Sequence, residues 1–167
     1  PREAENNTIS YNNKTYEYTH GMGQIIASAT SVTEDGNVEY LQKDIDGADN
    51  IYQLTQPRIY YGVETNSVAV TNTKNKSEYD YTDNSGIEHV NNYDGKSGIQ
   101  VGFFDRLILA IKNKDIRLAM ATSVSKESKI LTNRNIIKRA KAVLPNLIYD
   151  ENPYTVINDG QIYWVLD

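Results

Sequence analysis

The sequence predicts an α+β fold: a mostly antiparallel sheet, two or three amphipathic helices on one face, and a C-terminal β-hairpin. Three observations predict it. Short β-forming runs separated by polar loops recur over residues 58–93. Two stretches after Gly102 carry apolar residues at helical spacing, and an Asp159-Gly160 pair sits between two apolar β-forming runs near the end of the chain. Strands first, helices next and a hairpin last is the order of an α+β protein.

Taken in order, residues 1–13 are polar and Asn-rich and are expected to form a poorly ordered leader, with a single domain over 14–167. Gln24–Ala27 and Val38–Leu41 flank Glu34-Asp35-Gly36-Asn37, a turn sequence, and make a hairpin-like unit. Arg58–Val63, Ser67–Asn72, Glu78–Tyr81 and Gly86–Tyr93 follow as short strands of an antiparallel meander. Phe103–Asn113 is the first convincing helix. Phe103, Phe104, Leu107, Ile108, Ala110 and Ile111 share one arc, opposite Asp105, Arg106 and Lys112. A short helical piece is expected around Ile116–Ala121.

A second amphipathic helix is read from an N-cap at Ser128, whose hydroxyl suits the free N–H groups of a first turn. Its inner face takes Ile130, Ile136, Ile137, Ala140, Val143 and Leu144, with Arg134, Asn135, Lys138, Arg139 and Lys141 opposite. Pro145 ends it, because proline disfavours the α conformation at the preceding residue. Thr155–Asn158 and Gln161–Leu166 then flank Asp159-Gly160, a pair suited to the two positive φ angles of a type I′ turn. The second of these strands, with the only Trp, is apolar enough to be expected at the centre of a sheet.

The chain has 167 residues and 39% apolar content, with 13 Tyr against 2 Phe and 1 Trp, so a small core with a Tyr-rich skin is expected. With no Cys, disulfides and thiol catalysis are excluded. Net charge is −5 but uneven: residues 102–141 carry ten Lys/Arg against three Asp/Glu, and the remainder is acidic. This reads either as a solvated helical face over an acidic sheet or as a patch for anionic lipid headgroups or wall polymers. An acidic chain with no aromatic-plus-glycine RNA motif and no zinc finger argues against nucleic acid as a partner. No run approaches the ~18 apolar residues of a membrane span, and the polar start is not a signal peptide. Opening on Pro1 and stopping within an expected strand at Asp167, the chain reads as a piece of a longer one.

Candidate chemistry is sparse. Asp44, Asp46 and Asp49 surround Gly47 and raise calcium as a candidate ligand, since calcium takes oxygen donors on a tight loop. The spacing departs from the EF-hand pattern, which favours a solvated turn and no cofactor. His20, Arg58, Tyr60 and Asp150 are the candidate ligand-binding residues. His20 lies in a Thr-His-Gly turn, Arg58 has the geometry to clamp an anion, and Tyr60 belongs to a Tyr row (60, 61, 79, 81, 93) that suits stacking. Asp150 is either half of a carboxylate pair or the cap of the turn before Pro153. Ser123, Ser125 and Ser128 lack a nucleophile-elbow context, and no residue is assigned as catalytic.

Several longer strings carry a resemblance. Tyr18-Thr19-His20-Gly21-Met22-Gly23, Lys43-Asp44-Ile45, Gln56-Pro57-Arg58-Ile59-Tyr60-Tyr61-Gly62, Asn72-Thr73 and Glu78-Tyr79-Asp80-Tyr81 stand in register. Ser128, Ile130-Leu131, Arg134, Pro145, Asp150, Pro153-Tyr154, Tyr163-Trp164 and Asp167 follow them. In these strings the chain resembles uncharacterised protein family 0182, large multi-pass membrane proteins of bacteria and archaea. Val63, Val68, Thr82 and Ser97 depart from the family's usual residues. The resemblance implies a multi-pass parent in the cell membrane, tethered by transmembrane segments beyond this chain, with this part extracytoplasmic. It implies no reaction. The expectation is a structural or interaction domain whose partners are the rest of the parent chain or other envelope proteins. A cation- or ligand-binding module, with envelope polymers among the candidate ligands, is the alternative, with an envelope hydrolase behind it.

Overall fold

In a computed structural model, the described residues are 10–43, 50–65, 67–83, 85–100 and 102–167. They fold as α+β, with all ladders antiparallel and the chain's apolar residues divided between two compact units. One unit is built from the described residues up to Thr19 together with Glu64–Asn135, and the other from His20–Val63 with Ile136–Asp167.

In the first unit a π-helical turn, Asn13–Glu17, leads the chain into the core. Strands β5 (Ala69–Thr71), β9 (Lys129–Leu131) and β8 (Ile99–Gln100) form a three-stranded sheet with β9 in the middle. Strands β6 (Glu78–Thr82) and β7 (Glu88–Asn91) form a separate hairpin. Helices α1 (Phe103–Lys112) and α2 (Ile116–Met120) are joined by a turn in which Lys114 takes a φ of 54°. The core gathers Tyr16, Val70, Leu109, Ala110, Leu118 and Ile130, with Tyr11 and Val124 packed against it.

In the second unit β1 (Gly21–Met22) pairs with β4 (Arg58–Ile59), and β2 (Ile26–Val32) with β3 (Val38–Gln42). Helix α3 (Ile136–Val143) precedes the hairpin of β10 (Tyr154–Asn158) and β11 (Gln161–Val165). Asp159 and Gly160 take φ angles of 49° and 72°, as the type I′ reading requires. The helix stops before Pro145 as expected, and the Tyr149 hydroxyl reaches back to Leu144 O at 3.1 Å.

Five local expectations are corrected. Ser128 is not an N-cap: its hydroxyl donates to Asn72 O at 2.8 Å, and residues 129–131 are strand. Ile130 and Leu131 are both fully buried, so this short apolar run is a strand covered on both faces; Ile130 also fits the apolar face of a helical wheel, and Leu131 does not. Arg134 and Asn135, assigned to the wet face of a longer helix, are buried ahead of α3. The expected meander is broken, because β4 pairs with β1 and β5 with β9, leaving β6–β7 as its one hairpin. Strand β11 is not central: among the described residues β10 is its only ladder partner, beside an isolated parallel bridge from Gln56 to Gln161. Of the apolar arc of α1 only Ala110 is buried. Leu109 and Ala110 face the core, whereas Phe103, Phe104, Leu107, Ile108 and Ile111 are exposed. Periodicity locates an apolar face but does not say what covers it.

Candidate functional site

The most tightly built polar site lies inside the first unit. Glu78 begins β6 and is 2% exposed. Its Oε2 accepts from the Thr19 hydroxyl at 2.5 Å, and its Oε1 accepts from the Asn72 N–H at 3.2 Å. Arg134, 5% exposed, donates through Nη2 to the Thr19 carbonyl. Asn72 follows β5 in the left-handed region (φ 54°) and donates its side-chain amide to Tyr93 O at 2.8 Å. Its carbonyl takes the Ser128 hydroxyl. Asn72 Oδ1 is buried and accepts no hydrogen bond from a described residue. Buried polar groups cost free energy unless paired, so this network fixes where four distant chain segments meet. It is closed to solvent and acts by positioning backbone.

These residues come from the strings that carried the family resemblance, yet none was singled out as a site residue. Polar side chains read as surface unless a partner is known, and these partners are up to 115 residues apart.

The candidates named from sequence fall elsewhere. His20 and Tyr60 are brought together in the second unit, with ring centroids 4.8 Å apart and planes tilted by 36°. Arg58 lies in β4 opposite Met22, and its Nη1 reaches Gln56 Oε1 at 3.5 Å. Asp150 caps its own turn by accepting from Asn152 N at 3.0 Å, and its N–H donates to Asp167 O at 2.7 Å. This is the turn-capping reading rather than the paired-carboxylate one. Asp44, Asp46 and Asp49 lie outside the described residues. Gln42 and Tyr52, to either side of them in sequence, are held together, since the buried Gln42 amide exchanges two 3.1 Å bonds with the Tyr52 backbone. Among the described residues, no group of three His, Cys, Asp or Glu is placed to hold a metal. The Tyr row is divided into separate contacts: Tyr61 lies under Arg139, Tyr79 meets Tyr18 edge-on, Tyr81 stacks on His89, and Tyr93 is buried.

Two titratable clusters stand out in the first unit. His89 Nε2 lies 3.0 Å from Asp83 Oδ2. The hydrogen bond from His89, with backbone N–H bonds from Ile87 and Ser85, holds the Asp83 carboxyl below its ordinary range. Arg117 lies over the Tyr11 ring, 3.6 Å from its centroid, and its Nε donates to Asp115 Oδ1 at 3.0 Å. Burial, together with its hydrogen bond to Asp115, pushes the Tyr11 hydroxyl well up. Burial alone would raise Asp115, but hydrogen bonds from Tyr11 and Arg117 outweigh it and hold that carboxyl down.

The outward side of α1 has a different character. Phe104 is 76% and Ile108 64% exposed, and Ile116 and Met120 of α2 are exposed as well. At the start of α1 an open hollow of about 470 Å³ is lined by Lys74, Phe103, Arg106, Lys126 and Glu127, among others. Arg106 is held by a 2.7 Å bond to Ala121 O and lies over the Phe103 ring. No described helix is long and apolar enough to cross a membrane.

No solved structure matches this chain. A UPF0182 protein of Clostridium novyi (strain NT) is 40% identical over 173 residues, covering 100% of this chain and 19% of that relative. UPF0182 proteins of Clostridium botulinum (strain Okra) and Clostridium tetani are each 42% identical, covering 96% and 95% of this chain and 18% of the relative. The chain thus spans about a fifth of the length of the curated relatives it matches. The family model matches residues 1–167, and the chain belongs to the uncharacterised protein family UPF0182.

Proposed function

We propose that this chain is a structural and interaction module within the extracytoplasmic region of a longer, membrane-tethered protein. The observation that carries the interaction reading is α1, which turns five large apolar side chains outward and only Leu109 and Ala110 inward. An exposed apolar face of this kind marks a surface that something covers. The extracytoplasmic placement rests on what the family resemblance implies, and the relatives' greater length is consistent with a longer protein.

The test uses the full-length protein in cells. A photo-crosslinking side chain placed at Phe104 is expected to give a discrete adduct, whereas one at the exposed Asp35 turn gives none. Equal labelling at both positions would remove the interaction reading. Location is read separately: Asp35→Cys is expected to react with a membrane-impermeant maleimide on intact cells, and protection until lysis would place the segment inside.

A further inference from the structure

We propose that the outward face of α1 and α2 docks on an anionic lipid bilayer. In this arrangement α1 lies in the plane of the interface, and the Lys74–Arg106–Lys126 hollow takes lipid phosphate. The inference rests on the interaction reading above and names the partner. Phe103, Phe104, Leu107, Ile108 and Ile111 form one arc of the helix, and Lys112, Lys114 and Arg117 continue from its end as exposed residues. Aromatic and aliphatic groups on one side, with Arg106 and Lys112 beside Asp105 on the other, is the composition of an interfacial helix. At ten residues α1 is about 15 Å long, half of what spans a bilayer, so it lies on the surface rather than across it.

The hollow adds charge complementarity. Lys74, Arg106 and Lys126 face it against the single carboxylate of Glu127. Phe103 lines the same hollow, so the cations meet the apolar arc without a break. A bilayer offers hydrocarbon and phosphate a few ångströms apart, in the same order.

The test is vesicle co-sedimentation of the 167-residue chain, with sedimentation velocity run without lipid. Binding is expected to phosphatidylcholine vesicles containing phosphatidylglycerol and not to phosphatidylcholine alone. It should weaken as salt rises above about 0.15 M. K74E/K126E should weaken it at least tenfold, since each cation near an anionic surface contributes roughly fivefold. F104S/I108S, both at exposed positions, should abolish pelleting with the circular dichroism unchanged. Sodium phosphate should compete no better than sodium chloride of equal ionic strength; stronger competition would make the hollow a site for free phosphate and overturn the lipid assignment. Equal binding to neutral vesicles, or none to anionic ones, would also overturn it. If lipid binding is absent while the chain self-associates through Phe104 and Ile108, the lipid inference falls and the interaction reading stands.

Discussion

The Thr19 hydroxyl donates to Glu78 Oε2 at 2.5 Å across 59 residues of sequence, with both side chains buried. The other oxygen of Glu78 holds the Asn72 N–H, so one carboxylate ties the turn after β5 to the residue before His20. Glu78→Ala leaves a buried hydroxyl and a buried N–H without this partner, and should cost about 2–5 kcal/mol. Glu78→Gln keeps an acceptor and should cost less; Thr19→Val should cost about 1–3 kcal/mol. The measurement is the urea midpoint at constant m-value. The Thr19→Val and Glu78→Gln losses should be less than additive when combined, because both act on one bond. A Glu78→Ala loss within about 0.5 kcal/mol, the range of a surface change, would show that the network does not hold the fold.

That network also shows what the sequence could and could not disclose. The β10–β11 hairpin was legible because its information is local: a DG turn, apolar β-formers on both sides and a register set by a two-residue loop. The stop of α3 at Pro145 was local too. The pairing of β5 with β9 was not, since Val70 meets Ile130 across a long stretch of intervening chain and nothing beside either residue names the other. Ile130 satisfied a helical wheel, and Leu131 fell off it, while both sit in a doubly covered strand, and the left-handed Asn133 (φ 50°) separates them from α3. Thr19, Glu78 and Arg134 appeared as parts of a signature, but burial of polar groups leaves no trace in hydrophobic periodicity. For α1 the helix and most of its apolar arc are local information, but Ala110 turns inward away from the rest, and the direction of the arc depended on how little of the helix the neighbouring core could cover.

Gly160 should be the least replaceable residue of the C-terminal turn. Its φ is 72°, and an added Cβ would stand 2.9 Å from Thr55 Oγ1 and 3.0 Å from Gln53 O. Its carbonyl also receives the Thr55 N–H at 2.8 Å and the Gln56 N–H at 3.2 Å, so the turn anchors the segment before β4. Gly160→Ala combines backbone strain with a clash against neighbouring backbone and should cost about 2–3 kcal/mol. Asp159→Gly keeps the positive φ and should change stability by about 0.5 kcal/mol or less. Equal thermal midpoints for the two variants would refute the close approach.

Acid should act through Asp83. Its Oδ1 accepts from Ser85 N and Ile87 N at 2.9 Å each, and Oδ2 meets His89. The folded carboxyl titrates below its ordinary 3.8. The folded state therefore holds the proton less well than the unfolded chain, and stability rises with pH through that window. The contribution is present above 3.8 and fades as pH falls through the lower folded value. Asp83→Asn should be less stable than wild type at about pH 5, and the difference should shrink on further acidification. A gap that stays constant in acid would mean that the carboxylate charge plays no part.

Alkali should act through Tyr11 in the opposite sense. Burial and the neighbouring Asp115 push its hydroxyl above the ordinary 10.0, and burial raises Tyr16 as well. Below pH 10.0 both states keep these protons and nothing is lost. Above it, the unfolded chain releases protons that the folded chain retains, so stability falls with each further rise in pH until the folded groups titrate. Tyr11→Phe keeps a ring under the Arg117 guanidinium, 3.6 Å away in the wild type, and removes one of the two titrations. At neutral pH it should cost about 1 kcal/mol for the hydrogen bond to Asp115. In alkali its stability should decline less steeply than wild type, so the two curves converge. Tyrosinate absorbance followed beside circular dichroism checks the origin: the last tyrosines of the wild-type chain should ionise together with unfolding. If all 13 ionise while the fold is intact, the buried Tyr11–Tyr16 pair is not the alkaline trigger.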